Sequence, residues 1–242
     1  GLRCQDKAYL GKTKAFRNGH IEIQDEGSQL IACLTGASAG MQILDYCAGG
    51  GGKTLAMAAA MGGKGRLVAT DIDGRRLNKA NQRLKRAGAR DIVELRPLDE
   101  KRHARWFKRQ SGNFDVVLAD VPCSGTGTWR RNPDSRWFQY GPDLQELTTI
   151  QAEILETTSK AVKPGGRLIY ATCSILDEEN DDQISNFLNN HPEFEIIPVF
   201  EVWPHADNCP EYLKDQDFMK LTPHRTHTDG FFAAVLKKKD KP

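Results

Sequence analysis

Short apolar runs alternate with amphipathic segments from residue 41 to the end of the chain. The runs are rich in aliphatic and β-branched residues and have the length of strands rather than of helices. They predict seven strands, at Gln42–Asp45, Arg66–Asp71, Ile92–Arg96, Phe114–Asp120, Arg167–Thr172, Phe194–Val199 and Phe231–Leu236.

Several segments between these runs have the spacing of apolar residues that is typical of helices. The predicted helices are Lys53–Met61, Asp73–Ala87, Asp143–Val162 and Asp177–Asn190. Alternation of strands and helices predicts an α/β fold, with a mostly parallel seven-stranded sheet and helices on both faces. The last strand follows a loop instead of a helix, so we expect it to be antiparallel.

Two regions fall outside this alternation. Residues 1–40 are predicted to form an accessory segment, with a strand near Glu22–Gln24 and a helix near Ser28–Leu34, before a main domain at 41–242. Residues 201–228 contain Pro and His without a clear period, and we expect them to be irregular.

The composition is that of an ordinary globular domain. The chain has 242 residues, of which 39% are hydrophobic and 27% charged, and no apolar run approaches the ~20 residues of a membrane span. Six scattered cysteines are typical of reduced thiols in a cytoplasmic protein rather than of a disulfide framework. No spacing of Cys or His is typical of a metal site, and no membrane or obligate protein partner is indicated.

The small net charge of +2 hides an uneven distribution. Residues 1–170 carry a net charge of +9, whereas residues 171–220 carry −10. A basic surface favours a polyanionic partner, although the solvated faces of amphipathic helices would explain much of it. One cluster lies in a Gly-, Pro- and Asn-rich stretch where no helical period explains it: Trp129, Arg130, Arg131, Arg136 and Trp137. We expect the acidic stretch to lie away from such a partner.

A glycine-rich turn joins the first predicted strand to the first predicted helix, with the sequence Cys47-Ala48-Gly49-Gly50-Gly51-Gly52-Lys53-Thr54. Such a turn lets the backbone approach a ligand, and the helix N-terminus offers free N–H groups. A P-loop ATPase, with Asp120 as its metal-binding carboxylate, is the weaker alternative because a P-loop needs glycine where Cys47 stands. A Rossmann-like nucleoside site needs a carboxylate after the next strand, where Asp71 lies. Asp99, after the third strand, is a candidate for the adenine edge.

Two cysteines follow the fourth and fifth predicted strands. Cys123 comes three residues after Asp120, and Cys173 comes directly after Thr172. In a doubly wound sheet these strands are adjacent and parallel, and ligands bind at their carboxyl ends. We therefore expect both thiols to face the crevice of the glycine turn. A single buried cysteine is usually inert packing, but two at equivalent strand ends indicate chemistry.

Addition of a thiolate to carbon 6 of a pyrimidine makes carbon 5 nucleophilic enough to take a methyl group from a sulfonium donor. A carboxyl group beside the ring can stabilise the charge that develops there. Loss of the carbon 5 proton and of the thiol completes the reaction. One cysteine, one aspartate and a nucleoside-linked methyl donor are the minimum set, and a second cysteine can assist release. The residues alone do not say which cysteine attacks.

Several motifs follow one another in a fixed order: 47–54, Ala69-Thr70-Asp71, 120–127, 130–134, 170–174, Glu178-Glu179-Asn180 and Asp229-Gly230-Phe231-Phe232. Together they closely resemble the Sun/Fmu family of RNA cytosine-5 methyltransferases, over roughly residues 20–236. The resemblance implies a Rossmann-like fold, S-adenosylmethionine as cofactor, and methylation of carbon 5 of a cytosine in RNA, with ribosomal RNA as the expected substrate.

The resemblance also implies roles for single residues. It places the cofactor on the turn Cys47–Lys53, with Asp71 on the ribose, Asp99 near the adenine and Asp120 at the methionine end. It implies that Cys173 is the nucleophile, that Cys123 helps to resolve the covalent adduct, and that Lys53 is an orienting cation. The residues that match the RNA-side loop are Arg130, Arg131 and Asp134.

The sequence departs from the family in two ways. Gly49 and Gly50 replace Ala and Pro of the usual Ala-Ala-Pro-Gly-Gly-Lys, which predicts a more mobile turn and weaker cofactor binding. Family members generally carry an N-terminal RNA-binding domain, so we expect a separate domain to share in RNA selection. A non-catalytic RNA-binding module is one alternative, against which Asp120, Cys123 and Cys173 argue. A DNA or amino-group methyltransferase is a closer alternative; an amino-group enzyme would need a second Pro or an aromatic residue after Asp120, where Cys123 lies.

Overall fold

Eight strands form one sheet in the computed structural model, which describes residues 1–4, 9–98, 100–137, 141–203 and 209–240, without the side chains of 100–102. In chain order the strands are β1 Gln42–Asp45, β2 Arg66–Asp71, β3 Val93–Pro97, β4 Phe114–Asp120, β5 Val162–Thr172, β6 Phe194–Ile197, β7 Phe218–Leu221 and β8 Phe231–Lys238. The order across the sheet is β3-β2-β1-β4-β5-β8-β6, and β7 also pairs with β8. The first five strands are parallel, and β8 is antiparallel to each of its neighbours.

The predicted mostly parallel sheet with an antiparallel last strand is therefore confirmed, with one strand more than expected. β6 pairs with residues 235–238 of β8, and β7 pairs with residues 231–234, so the two short strands share one position at the sheet edge. β7 lies inside the stretch 201–228 that we expected to be irregular. Its four residues alternate only briefly between buried and exposed, which is too short a signal to predict a strand.

The helices are α1 Lys14–Arg17, α2 Glu26–Leu34, α3 Gly52–Ala60, α4 Gly74–Arg86, α5 Glu100–Arg109, α6 Leu144–Ser159, α7 Asp181–Asn190 and α8 Pro223–Thr226. Asp73 caps α4 by accepting from the backbone N–H of Arg75 at 2.8 Å, and Asp143 with Glu146 forms a capping box at the start of α6. α5 was not predicted, because Trp106 and Phe107 are its only large apolar residues. Within the described residues no helix is long and apolar enough to span a membrane.

The core lies on both faces of the sheet, as predicted, because successive strand side chains point to opposite faces. Helices α2, α3 and α4 cover one face and α5, α6 and α7 the other. Fully buried strand residues of the first face include Ile43, Leu67, Val116, Ile169 and Val235. Those of the second face include Leu44, Val68, Val117, Leu168 and Leu236.

The N-terminal segment differs in part from its prediction. Glu22–Gln24 forms no strand, because Glu22 instead pairs with α4, where Arg83 Nη2 lies 3.3 Å from its Oε1. The predicted helix is present as α2, and its Ile31 and Leu34 are fully buried in the core. Part of the accessory segment thus packs on the sheet, and the division of the chain at residue 40 stays a prediction.

Candidate active site

The glycine turn connects β1 to α3 at the carboxyl edge of the parallel strands. Gly49 and Gly51 have φ values of +56° and +76°, a region that side chains rarely occupy. A Cβ at Gly51 would lie 2.7 Å from the Cβ of Ala80 in α4, so the close approach of two helices also requires glycine there. The alanine that the family usually has at position 49 would be strained in this backbone.

Three carboxylates converge on this turn from the ends of β1, β2 and β4. They are Asp45, Asp71 and Asp120. Burial is the largest cause that raises the pKa of the Cys47 thiol, and the negative charges of these three carboxylates raise it further. Cys47 thus lies in a negative environment, where its thiol stays protonated and chemically inert.

Two of these carboxylates are buried and accept hydrogen bonds from neighbouring groups. Asp71 is 4% exposed and accepts a hydrogen bond from the backbone N–H of Gly49 at 2.8 Å. Asp45 accepts from the hydroxyl of Thr54 at 2.6 Å, and burial raises its pKa to about 7. Its other oxygen, Oδ1, is buried without a hydrogen-bond partner among the described residues.

This arrangement fits the expected cofactor. S-adenosylmethionine carries a sulfonium, an ammonium group and ribose hydroxyls, which are all groups that carboxylates can bind. The carboxylates at the strand ends, the unpaired Oδ1 of Asp45 and the free N–H groups at the start of α3 offer the required charge and hydrogen bonds. Asp99, the candidate for the adenine edge, lies outside the described residues.

The two cysteines meet at the ends of adjacent strands. Asp120 of β4 is paired in register with Ala171 of β5, and the chain continues from there to Cys123 and Cys173, whose Sγ atoms are 3.4 Å apart. The hydrogen bond between the two thiols lowers the pKa of Cys173. Burial and the Asp120 charge oppose this effect, and the Lys53 charge adds to it. The same hydrogen bond, together with burial, raises the pKa of Cys123 well above its usual value. These two pKa shifts have the directions expected if Cys173 is the nucleophile that the family resemblance implies.

Lys53 and Asp120 form an ion pair beside the thiols. Lys53 Nζ lies 2.6 Å from Asp120 Oδ2, and the two side chains are 11% and 28% exposed. Burial alone would lower the pKa of Lys53, but the charge and hydrogen bond of Asp120 raise it above its usual value. Lys53 therefore stays a cation at neutral pH, close enough to Cys173 for the two groups to interact electrostatically.

A buried carboxylate that we did not single out holds the loop of Cys123. Glu179 is fully buried and accepts from the backbone N–H of Ser124 at 2.8 Å and from its hydroxyl at 2.5 Å. Gln151 of α6 donates to Glu179 at 2.9 Å and to the carbonyl of Pro122 at 3.0 Å. These contacts fix the residues on both sides of Cys123.

The loop of Cys173 is held in a similar way by Asn180. Its side chain accepts from the Thr172 hydroxyl at 2.6 Å and donates to the Ser174 carbonyl at 3.1 Å. We noted Glu179 and Asn180 only as part of a motif, and we did not find Gln151. The signal for Gln151 was a polar residue in the buried stripe of α6 between Leu147 and Leu155.

The predicted RNA-side arginines lie next to the same loops. Arg130 Nη2 lies 2.7 Å from Oδ1 of Asp229, and Arg131 Nε lies 2.9 Å from its Oδ2. Asp229 is fully buried, whereas both arginine side chains are more than half exposed. Asp134 is exposed in the short 3₁₀ helix Pro133–Trp137.

All six cysteines are free. No group of three or more His, Cys, Asp or Glu side chains within the described ranges is placed to hold a metal ion.

The sheet order, the glycine turn and the carboxylates at its edge define a Rossmann-like methyltransferase domain. A family model described as "16S rRNA methyltransferase RsmB/F" matches residues 33–237. The chain belongs to this family of S-adenosylmethionine-dependent methyltransferases, and the cofactor expected from the sequence is confirmed at that level. Family membership also excludes the P-loop ATPase alternative.

Similar proteins agree with this assignment. The ribosomal RNA small subunit methyltransferase B of Salmonella paratyphi A is 37% identical over 98% of this chain and 52% of its own length. The chain thus spans about half the length of the curated relatives that it matches. The crystal structure of PH0851 has a TM-score of 0.82 at 36% identity, over 96% of this chain and 50% of that one. The structure of NSun6 from Pyrococcus horikoshii has the same fold, with a TM-score of 0.79 at 24% identity, over 97% of this chain and 57% of that one.

Proposed function

We propose that the chain transfers a methyl group from S-adenosylmethionine to carbon 5 of a cytosine in RNA, with ribosomal RNA as substrate, through a covalent adduct on Cys173. The pair of thiols 3.4 Å apart, next to the Lys53–Asp120 ion pair, carries this proposal. Methylation of an oxygen or nitrogen atom needs no nucleophilic thiol, whereas methylation of a pyrimidine carbon 5 does. The names of the curated relatives support ribosomal RNA as substrate.

The reaction begins with Cys173. Its lowered pKa favours the thiolate, which bonds to carbon 6 of the cytosine while an electron pair moves toward carbon 5. Asp120 accepts from the exocyclic amine of the base, and Lys53 provides positive charge near the negative charge that develops on the ring. The target base must leave its stack to reach this position.

S-adenosylmethionine supplies an electrophilic methyl group, which carbon 5 takes up. The carbon 5 proton must then leave to a base, and the bond between Cys173 and carbon 6 must break. Once Cys173 is bonded to carbon, it no longer accepts the hydrogen bond that raises the pKa of Cys123. Cys123 can then lose its proton more easily, and it assists removal of the carbon 5 proton and release of the product.

Other residues bind the two substrates. The turn Cys47–Lys53 holds the cofactor, with Asp71 on the ribose and Asp99 at the adenine. Arg130 and Arg131 project half-exposed guanidinium groups toward RNA phosphates. Asp134 lies in the short helix that follows them and contributes to the same RNA-side loop.

The test uses cysteine variants with a cytosine-containing RNA and S-adenosylmethionine. Cys173→Ala should abolish methyl transfer, because it removes the thiolate that bonds to carbon 6. Cys123→Ala should form the adduct but release it slowly, so that a protein–RNA band resistant to denaturation accumulates on a gel. Cys33→Ala, at an exposed cysteine of α2, is the matched control and should keep normal turnover.

Near-normal turnover of Cys173→Ala would refute the proposed roles. An adduct that accumulates in Cys173→Ala instead of Cys123→Ala would mean that the two cysteines have the opposite roles.

A further inference from the structure

An exposed pair of indoles stands on the segment that leaves the active site after Cys123. The backbone N–H of Gly127 donates to the carbonyl of Cys173 at 3.0 Å, so this segment is attached at the nucleophile. Trp129 follows two residues later and is 38% exposed, and Trp137 ends the short 3₁₀ helix and is 73% exposed. Two residues of chain reach at most ~7 Å, so Trp129 begins close to the reacting thiols.

Arg136 holds the two indoles together. Its guanidinium carbon lies 5.6 Å from the ring centre of Trp129 and 4.8 Å from that of Trp137. Both distances are within the range of a cation–π interaction. We call this cluster of Trp129, Arg136 and Trp137 the indole platform. All three side chains are exposed to solvent, although burying the two indoles would stabilise the fold more.

We propose that the indole platform stacks an unpaired nucleotide that neighbours the target cytosine. Single-stranded RNA is recognised by stacking of its bases on aromatic rings and on arginine guanidinium planes. This role rests on the proposed function, because it assumes RNA as the substrate. A cytosine that turns toward the thiols loses its stacking partners, and its neighbours lose theirs. The platform replaces that lost stacking one or two nucleotides away.

The charge around the platform favours RNA over a protein partner. Arg130 and Arg131 lie between Trp129 and Arg136 in sequence, pair with the buried Asp229, and have side chains that are 57% and 53% exposed. Arg136 adds a third positive charge, and the acidic residues beside these arginines are the exposed Asp134 and the buried Asp229. Stacking surfaces next to phosphate-binding cations are the combination that single-stranded nucleic acid requires.

The experiment measures binding of a short single-stranded RNA with one cytosine and 2-aminopurine as a neighbouring base, without cofactor. Stacking on an aromatic ring quenches 2-aminopurine fluorescence. Trp137→Leu keeps an apolar side chain but removes the aromatic face, so Kd should rise roughly 5- to 100-fold and the quenching should be lost. Trp137→Phe keeps an aromatic face and should retain the quenching, with Kd within about 5-fold of the original.

Charge effects are separated by a second pair of variants. Arg136→Ala should weaken binding and quenching because it removes the cation that holds the rings together. Arg90→Ala removes the same charge from an exposed position just before β3, at the amino ends of the parallel strands, whereas the site lies at their carboxyl ends. It should leave the quenching unchanged. Circular dichroism and binding of S-adenosylhomocysteine verify that each variant is folded.

The platform and the proposed function can fail separately. If Trp137→Leu binds the RNA with unchanged Kd and unchanged quenching, the platform is wrong even when the cytosine is methylated normally. Equal losses in Trp137→Leu and Trp137→Phe would also overturn it, since they would indicate a packing role. Loss of quenching in Trp137→Leu alone supports the platform, whether or not carbon 5 is the position that is methylated.

Discussion

Glu179 provides a test of how the buried polar network holds the catalytic loop. Its carboxylate receives three hydrogen bonds, from the N–H and hydroxyl of Ser124 and from Gln151, and it is fully buried. Glu179→Ala leaves these donors unpaired in the core. Each buried donor that loses its acceptor costs about 1–3 kcal/mol, so three donors that can relax in part should cost about 3–5 kcal/mol in total.

The loss of about 3–5 kcal/mol should lower the melting temperature by roughly 6–20 °C for a chain of this size. Glu179→Gln should cost less than about 1.5 kcal/mol, because its amide can donate to the Ser124 hydroxyl. That hydroxyl can then turn toward the Ser174 hydroxyl, which lies 3.3 Å away. The remaining amide oxygen in the Glu179→Gln variant would keep the bonds from Ser124 N–H and Gln151.

Urea unfolding followed by tryptophan fluorescence measures the change in stability. Glu178→Ala, at the exposed neighbouring residue, is the matched control and should change the free energy of unfolding by less than about 0.5 kcal/mol. The reasoning is refuted if Glu179→Ala loses less than about 1 kcal/mol, or if the Gln variant loses as much as the Ala variant. Because Ser124 follows Cys123, we also expect Glu179→Ala to slow release of the adduct more than its formation.

Two further predictions concern the glycine turn and the lysine beside it. Gly49→Ala should destabilise the fold by about 1–2 kcal/mol, because φ at this position is +56°. Gly50→Ala should stabilise the fold by about 0.4–1 kcal/mol, because the nearest contact of the new Cβ would be Arg83 Nη1 at 3.5 Å. Thermal unfolding of both variants measures these changes, and equal effects of the two substitutions would contradict the prediction. Lys53→Met removes a positive charge that lowers the pKa of Cys173, so the pH dependence of iodoacetamide labelling at Cys173 should move to higher pH. Lys64→Met, at an exposed lysine, is the control and should leave the pH dependence of labelling unchanged. A labelling midpoint that stays the same or falls in Lys53→Met would show that the Lys53 charge does not lower the pKa of Cys173.

Much of the fold could be predicted because its strands carry local signals. β1, β2 and β4 have the predicted bounds, since each is an apolar run with a polar residue or turn at both ends. β7 and α5 could not be found, because their places depend on pairing with β8 and on two adjacent aromatic residues that contact the sheet. The irregular path of Glu22–Gln24 likewise depends on ion pairs with α4, a partner more than 50 residues away in sequence.

The sequence by itself determined the α/β class, the sheet with its antiparallel last strand, and the residue types at the strand ends. These follow from local periodicity and from the order of motifs along the chain. Only the tertiary structure decided that the Sγ atoms of Cys123 and Cys173 lie 3.4 Å apart, and that Glu179 and Gln151 hold the loop of Cys123. It also brought Trp129, Arg136 and Trp137 together as one surface. The physical reason is that pKa values, buried hydrogen bonds and stacking depend on distances between residues that the chain order leaves undefined.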